Sequence, residues 1–245
     1  MRNVLFWAII FATIAFLPAC DTFTTAGLDA SSSVKRFNVC LILDGTDRLS
    51  EQNGVPCITN NELLGLAEML SNKGTGCLYI SYVDKDCDNN QVAIFEWMED
   101  RPQVPGDKPG YMKMKEYNKL KGQYLDDKAA YDLLLSDALR EFSQDCSAVS
   151  EAAYSDAVAH QKRGSDVNGA INQAGRLLRA SKNGADISFI ILVSDGCDNV
   201  GKELLQLPQS TELLIVNSNV SKHQYSELIS NEFVTLQQAV NYIFK

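Results

Sequence analysis

Two apolar segments that each run into an Asp-Gly pair constrain this chain more than any other feature. Residues 37–43 lead directly into Asp44, and residues 187–193 lead, after one serine, into Asp195. Continuous β-branched and aliphatic runs of this length are typical of strands covered on both faces, as in the parallel sheets of α/β domains. Because ligands bind at the carboxyl ends of such strands, we expect an oxygen-lined site at that edge of the sheet.

The remaining periodicities complete an α/β pattern. A short polar turn separates two further strands, so the second and third strands are expected to pair as an antiparallel hairpin, with the third at the sheet edge. Strands alternate with helices elsewhere, which predicts a doubly wound, mostly parallel sheet with one antiparallel edge strand. The predicted strands are 37–43, 77–83, 92–97, 187–193, 211–216 and 233–235, and the predicted helices are 63–70, one ending near 181, 224–230 and 236–244.

A long segment without strand signals interrupts this pattern at about residues 101–163. Its first ten residues are rich in proline and glycine, and apolar residues at helical spacing follow, including Tyr131 and Phe142. We expect an inserted helical segment of two or more helices, broken near Gly122 and near residues 146–147. The domain as a whole is predicted to span residues 36–245.

The amino terminus reads as an export signal. A short basic start precedes an apolar core at residues 4–17, which ends in Leu17, Pro18, Ala19 and Cys20. This ending resembles a bacterial lipobox, which implies cleavage after residue 19 and covalent lipid on Cys20. An ordinary signal peptide with a chance cysteine and a single membrane anchor are the alternatives, but the run is short for a membrane span.

The residues after the predicted cleavage site indicate an anchored location. Residues 20–35 are rich in Thr, Ser and Ala, which predicts a flexible tether between the lipid and the domain. The expected localisation is therefore a cell membrane, lipid-anchored and extracytoplasmic. Asp21 resembles the signal that keeps lipoproteins in the inner membrane of enteric-type bacteria, which implies its periplasmic face.

Charge and residue usage exclude several functions. The net charge is −9 and no basic run occurs, which argues against nucleic acid as a partner. The two histidines lack metal-ligand spacing. Beyond Cys20 there are six cysteines, and an even number in an exported chain suggests disulfides; we expect at least one bridge that involves Cys57, Cys87 or Cys197.

Three loops and the order of the elements together resemble a von Willebrand factor type A (VWA) domain. That family carries a metal-ion-dependent adhesion site, and the resemblance assigns Asp44 and Thr46 to its first loop, Ser165 to its second and Asp195 to its third. It implies that these four residues hold Mg²⁺ or Mn²⁺. Hydroxyl and carboxylate oxygens are the ligands such ions prefer.

One residue departs from the family pattern. Arg48 stands where the family has a second serine, and a guanidinium cannot ligate a cation. If it points inward, Arg48 would substitute for the metal by pairing with Asp44 or Asp195. If it points to solvent, the remaining oxygens and water can complete a metal site. A degenerate site without metal remains open.

The resemblance implies protein binding, with the partner supplying a carboxylate to the metal, and no catalysis. The residues agree, because no histidine, thiolate or lysine is expected beside the carboxylates to act as base or nucleophile. An aspartyl phosphatase loop would need a nucleophile at position 42, which is Ile42. The second candidate is a metal-independent structural subunit of an envelope assembly, such as a secretion or conjugation apparatus, that uses the inserted helices as its interface.

Overall fold

Within the described residues, six strands form one sheet. The computed structural model describes residues 35–45, 55–154, 164–181, 187–217, 225 and 227–245. The strands are β1 Arg36–Leu43, β2 Thr75–Tyr82, β3 Ala93–Trp97, β4 Ile187–Val193, β5 Thr211–Val216 and β6 Ile229–Phe233. Their order across the sheet is β3-β2-β1-β4-β5-β6. The predicted α/β fold class is confirmed.

The strand directions also match the prediction. β1 lies at the centre and is parallel to both β2 and β4, whereas β2 and β3 pair antiparallel and leave β3 at one edge. After its first residue β1 is buried throughout, as expected for a strand covered on both faces. The chain therefore reverses its winding between β1 and β4, and this is where an open sheet forms its ligand crevice.

In the part of the chain that the structure describes, four α-helices flank the sheet: α1 Asn60–Lys73, α2 Met114–Tyr154, α3 Val167–Ala180 and α4 Leu236–Ile243. A short 3₁₀ helix, Cys87–Asn89, lies between β2 and β3. Three of the helices begin at a capping residue whose side chain accepts a hydrogen bond from a backbone N–H of the first turn. Thr59 caps α1, Asp166 caps α3 and Thr235 caps α4.

The helices divide the core into two layers. α1, α2 and α4 pack on one face of the sheet, where Phe95, Trp97, Tyr131 and Phe142 form an aromatic cluster between β3 and α2. α3 packs on the other face, over apolar residues of β1, β2 and β4. Because both faces are covered, the carboxyl edge of the sheet is where polar side chains can gather.

The inserted segment differs from the prediction in its continuity. α2 is a single helix of 41 residues, without breaks at Gly122 or at residues 146–147. Cys146, Val149 and Ala153 continue the buried stripe that begins at Tyr131. This packing outweighs the local preference of serine for other structures, and a glycine inside a helix costs only about 1 kcal/mol.

The last strand also differs from the prediction. A helix was expected at 224–230 and a strand at 233–235, but residues 227–228 form a turn and β6 spans Ile229–Phe233. β6 pairs in parallel with β5, with an irregularity between Leu213 and Leu214. Pairing with β5 satisfies the backbone N–H and C=O groups of this segment. The side-chain pattern that predicted a helix contains no information about this pairing.

Candidate functional site

The candidate site lies where β1 and β4 end side by side. Leu43 is paired with Val193, and the backbone N–H of Asp44 donates to the Val193 carbonyl at 3.0 Å. The expected adjacency of these two strands is confirmed. Asp44 and the Ser194-Asp195 turn are therefore held at one edge by the sheet hydrogen bonds themselves.

Asp44 is a fully buried polar residue of the site. Its Oδ2 accepts a hydrogen bond from the Ser194 hydroxyl at 2.6 Å. The Ser194 Oγ in turn accepts from the Gly196 N–H at 2.9 Å. Gly196 has a positive φ of 72°, which a glycine adopts without strain, so the turn after β4 keeps this geometry at little cost.

The same hydrogen-bond chain reaches the next two strands. Asn217, directly after β5, donates its side-chain N–H to the Ser194 carbonyl at 3.1 Å. Its backbone N–H donates to the Phe233 carbonyl at the end of β6 at 2.9 Å. Four strand ends are thus linked, and neither Ser194 nor Asn217 was singled out from the sequence. The signal that could have found them is their position, immediately after a buried strand.

Asp195 occupies the edge of the site. It is only partly buried, and its Oδ1 accepts from the Cys197 N–H at 2.8 Å within its own turn. The hydroxyl that contacts Asp44 thus belongs to Ser194, one residue before the aspartate that the sequence singled out.

Ser165 is tied to the turn after β4. It is buried, and its backbone N–H donates to Asn199 Oδ1 at 2.7 Å. The Asn199 N–H donates back to the Ser165 carbonyl at 3.1 Å. The two loops that the sequence assigned to one site are therefore joined by a reciprocal pair of hydrogen bonds.

Other predicted site residues lie outside the described residues. These are Cys20, Thr46 and Arg48, so their predicted lipidation, metal ligation and metal substitution stay predictions. Gly45, the last described residue of the first loop, faces the end of α2. A Cβ at this position would collide with the carbonyl oxygen of Ala153, so only glycine permits this close approach.

A charged cluster next to the site was not found from the sequence. Lys202 Nζ lies 2.7 Å from Asp166 Oδ2, 2.8 Å from Asp86 Oδ1 and 3.3 Å from Asp88 Oδ2. Hydrogen bonds from Lys202 hold the pKa values of Asp86 and Asp88 below the ordinary value of an aspartate. The hydrogen bond to the Asp166 carboxylate raises the pKa of Lys202. The three aspartates are visible in the sequence, but their common partner is a distant residue in a segment without secondary structure.

Asp166 is fully engaged in this cluster. It is completely buried, and besides Lys202 it accepts from the Gly169 N–H at 2.9 Å as the cap of α3. Cys87 donates its backbone N–H to the same carboxylate at 3.4 Å. These contacts give Asp166 a structural role that connects α3, the 3₁₀ helix and the segment around Lys202.

The six cysteines of the domain are all described, and no two lie at disulfide distance. Cys57 and Cys197 are exposed, whereas Cys40, Cys77, Cys87 and Cys146 are buried. Burial raises the pKa of the Cys87 thiol to about 12, which keeps it protonated and unreactive at neutral pH. The geometry therefore gives the expected bridge no support, and the bridge stays a prediction.

The chemistry of the donor set fits a hard divalent cation. Asp44, Ser165 and Asp195 all offer oxygen atoms at one edge of the sheet, as Mg²⁺ and Mn²⁺ require. Within the described residues, no group of three or more His, Cys, Asp or Glu side chains is arranged so that it could hold a metal ion. Serine and threonine hydroxyls are further oxygen ligands for such ions, so a site built partly from hydroxyls fits this edge of the sheet.

Among the helices in the described part of the chain, none combines the length and the apolar character needed to cross a bilayer. No protein-family model matches the chain, and no curated protein matches it. The resemblance to VWA domains therefore rests on the three loops and the order of the elements, since a six-stranded α/β sheet is common to many families.

Proposed function

We propose that this protein is a membrane-anchored, extracytoplasmic VWA-like domain that binds a protein partner at the carboxyl edge of its sheet. The observation that carries the proposal is the fully buried Asp44 carboxylate, which lies beside Ser194 where β1 and β4 end. A buried carboxylate is costly unless donors or a cation compensate its charge. A cation bound beside Asp44 would compensate this negative charge and would present positive charge to a partner.

Mg²⁺ or Mn²⁺ would supply that charge. Asp44, Ser165 and Asp195 would hold the ion, together with Thr46 from the first loop. A bound divalent ion with an open position attracts a carboxylate from a partner protein, which is the chemistry that the family resemblance implies. The residues of this chain would contribute by fixing Asp44 through Ser194 and by joining the Ser165 loop to the turn after β4 through Asn199.

Binding fits the described contacts better than catalysis does. Asp44 is bonded to a serine hydroxyl, but a nucleophilic serine needs an adjacent base such as histidine. The buried thiol of Cys87, whose backbone N–H donates to Asp166, is held protonated by burial. We therefore propose that the site binds its partner and does not turn over a substrate.

The second candidate is a metal-independent structural subunit of an envelope assembly. It is favoured by α2, a 41-residue helix whose end packs against Gly45 and whose outer surface is exposed over most of its length. In this version Arg48 supplies the counter-charge for Asp44 or Asp195. Partner binding would then be unaffected by divalent ions.

Thermal unfolding with added ions separates the two candidates. At a hundredfold excess over its dissociation constant, a bound ion stabilises the fold by about 2.7 kcal/mol, which raises the midpoint by about 5–10 °C in a domain of this size. Mg²⁺ or Mn²⁺ should produce this rise, and Asp195→Ala should abolish it. Asp100→Ala, which removes an exposed carboxylate after β3, is the matched control and should leave the rise intact.

The Arg48 version gives the opposite result. Neither ion should then shift the midpoint of the wild-type protein, and Arg48→Ser should create sensitivity to them. If neither ion shifts the thermal midpoint of the wild type or of Arg48→Ser, the result would contradict both versions of the site. A pull-down from native membranes, with and without a divalent chelator, would then identify the partner and its ion dependence.

The lipid anchor has an independent test. Cys20→Ala should block metabolic labelling with a fatty acid and leave the protein unprocessed or released from membranes. Unchanged membrane association together with an unchanged mass of the mature form would reject the lipoprotein assignment. That outcome would leave the proposed binding site untouched.

A further inference from the structure

We propose that α2 mediates self-association, by pairing antiparallel with α2 of a second copy of this chain. The surface involved is the outward face of α2, which we define by Asn118, Gly122, Leu125, Ala129 and Leu133. This surface is separate from the carboxyl edge of the sheet, and the inference does not depend on the proposed function.

The outward face lies opposite the residues that pack α2 onto its own domain. Buried residues of α2, such as Tyr131, Phe142 and Val149, share one side of the helix. At 3.6 residues per turn, the residues of the outward face lie about half a turn away from them. All five are exposed. A second helix can therefore approach without displacing anything in the core.

The outward face carries two exposed leucines. Leu125 and Leu133 are 62% and 64% exposed, and Ala129 lies between them on the same line of the helix. Gly122, one turn before Leu125, has no atom within 4 Å of a Cβ built on it. The face thus offers a protruding leucine next to an open recess.

Half of this helix extends beyond the core. None of residues 114–130 is buried, which corresponds to about 25 Å of helix. Tyr131 donates its hydroxyl to the Ser71 carbonyl near the end of α1, whereas Ala153 lies against Gly45 at the carboxyl edge of the sheet. The exposed half therefore projects past the opposite, amino edge. Tyr117 donates its hydroxyl to the Gly106 carbonyl at 2.8 Å, but the outward face of this half is exposed. Because a helix of this length gains most of its stability from packing, we infer that a partner covers this face.

The charges of the exposed half identify the occupant. Residues 113–121 contain four lysines and one glutamate, and residues 126–137 contain four aspartates and one lysine. A parallel pair of helices would place like charges together. An antiparallel pair places the basic segment of each copy against the acidic segment of the other, which makes the helix complementary to itself.

The side-chain spacing agrees with one particular register. A two-fold axis between Gln123 and Tyr124 sets Leu125 of each copy opposite Gly122 of the other. The same axis sets Lys115 opposite Asp132, and Lys119 close to Asp126. Asp132 also forms an ion pair with Lys128 on its own helix, so this carboxylate would bridge two lysines. Both the apolar and the charged contacts thus fit a single arrangement.

The expected dimer is weak. Two helices that overlap from Met114 to Leu133 share roughly 30 Å of length, which gives an interface at or below the usual size for stable complexes. Sedimentation equilibrium of the full-length protein in a density-matched nonionic detergent, from about 5 to about 500 µM, should therefore show a monomer–dimer equilibrium. High salt should weaken it, because exposed charges are screened.

Charge reversal gives the decisive test. Lys115→Glu with Lys119→Glu should weaken the dimer at least tenfold, and so should Asp126→Lys with Asp132→Lys. An equimolar mixture of the two double variants should pair about as tightly as the wild type, because an acidic helix then meets a basic one. Lys113→Glu with Asp127→Lys alters the same segment away from the outward face, and this matched control should leave the dimer unchanged.

A substitution that favours the monomeric helix provides a second readout. Gly122→Leu should keep or raise the helix content measured by circular dichroism, and should weaken the dimer at least tenfold by filling the recess that receives Leu125. A wild-type protein that stays monomeric to about 500 µM would overturn the proposal. So would a mixture of the two charge variants that fails to pair, which would indicate that the basic segment meets a different acidic partner.

Discussion

Replacing Lys202 with methionine tests how the segment after β4 is held to the rest of the domain. Lys202 binds the fully buried Asp166 and the exposed Asp86 and Asp88. Methionine preserves most of the volume of the side chain and removes only the charge and its hydrogen bonds. Asp166 would keep its bonds from the Gly169 and Cys87 N–H groups but would lose its counter-charge.

The expected loss is about 2 kcal/mol of unfolding free energy. Breaking a fully buried ion pair costs about 3–5 kcal/mol, whereas an exposed pair contributes about 0–1 kcal/mol. Asp166 is buried but the Lys202 side chain is 34% exposed, so water can partly replace the ammonium. In a domain of this size, about 2 kcal/mol corresponds to a decrease of about 4–8 °C in the thermal midpoint.

Urea unfolding of four proteins measures the coupling. These are the wild type, Lys202→Met, Asp166→Asn and the double variant, with Lys85→Met as a control for an exposed lysine nearby. Most of the loss should disappear when Lys202→Met is made in the Asp166→Asn background, because the buried charge is then already absent. An equal loss in both backgrounds, or a loss below about 0.5 kcal/mol in the wild-type background, would refute the reasoning.

The pH dependence follows from the same contacts. Lys202 lowers the pKa of Asp86 and Asp88 below 3.8, so the unfolded chain takes up protons at a higher pH than the folded protein. Their contribution is present above about pH 4 and is lost as the pH falls through the folded pKa values. Because the pKa of Lys202 is raised above 10.5, its contribution is complete below that pH and is lost as the pH rises through the higher folded value. The difference between wild type and Lys202→Met should therefore be constant between about pH 5 and 9 and shrink outside that range.

Three further results are expected. Gly45→Ala should destabilise the domain by about 1–3 kcal/mol or more in urea unfolding, since the added methyl group meets the Ala153 carbonyl; an unchanged midpoint would contradict the close packing of α2 on this turn. Phe142→Ala should cost about 3–5 kcal/mol by the same assay, because this side chain fills the aromatic cluster under α2, and a loss below about 1 kcal/mol would argue against that cluster. Cys57 and Cys197 should react rapidly with iodoacetamide in the native protein while the four buried thiols do not; protection of both exposed thiols without reductant would instead support the expected disulfide.

The sequence was a reliable guide where the structure depends on local pattern. The apolar runs that form β1 and β4 are buried strands, and the short polar turn between β2 and β3 produces an antiparallel hairpin at the edge. Handedness and connection rules then leave few strand orders, which is why Asp44 and the turn that contains Asp195 could be placed at neighbouring strand ends. These inferences needed only side-chain periodicity and the residues that follow each strand.

The sequence was a poor guide where a residue's state depends on distant partners. α2 continues through residues 146–147 because Cys146, Val149 and Ala153 are packed in the core, and β6 is a strand because β5 offers it backbone hydrogen bonds. Local propensity differs between such alternatives by about 1 kcal/mol per residue or less, so tertiary contacts decide.

The details of the site were decided in the same way. From the sequence alone, Asp44 belongs to a polar edge of the sheet, but nothing local indicates that Ser194 would contact it or that Asn217 would extend the hydrogen bonds to β6. Lys202 likewise finds Asp86, Asp88 and Asp166 only after the sheet and α3 have brought these segments together. Sequence periodicity determined which strands end at the site, whereas the partners of each side chain there were fixed by tertiary packing, because hydrogen bonds and ion pairs form between groups that only the fold makes neighbours.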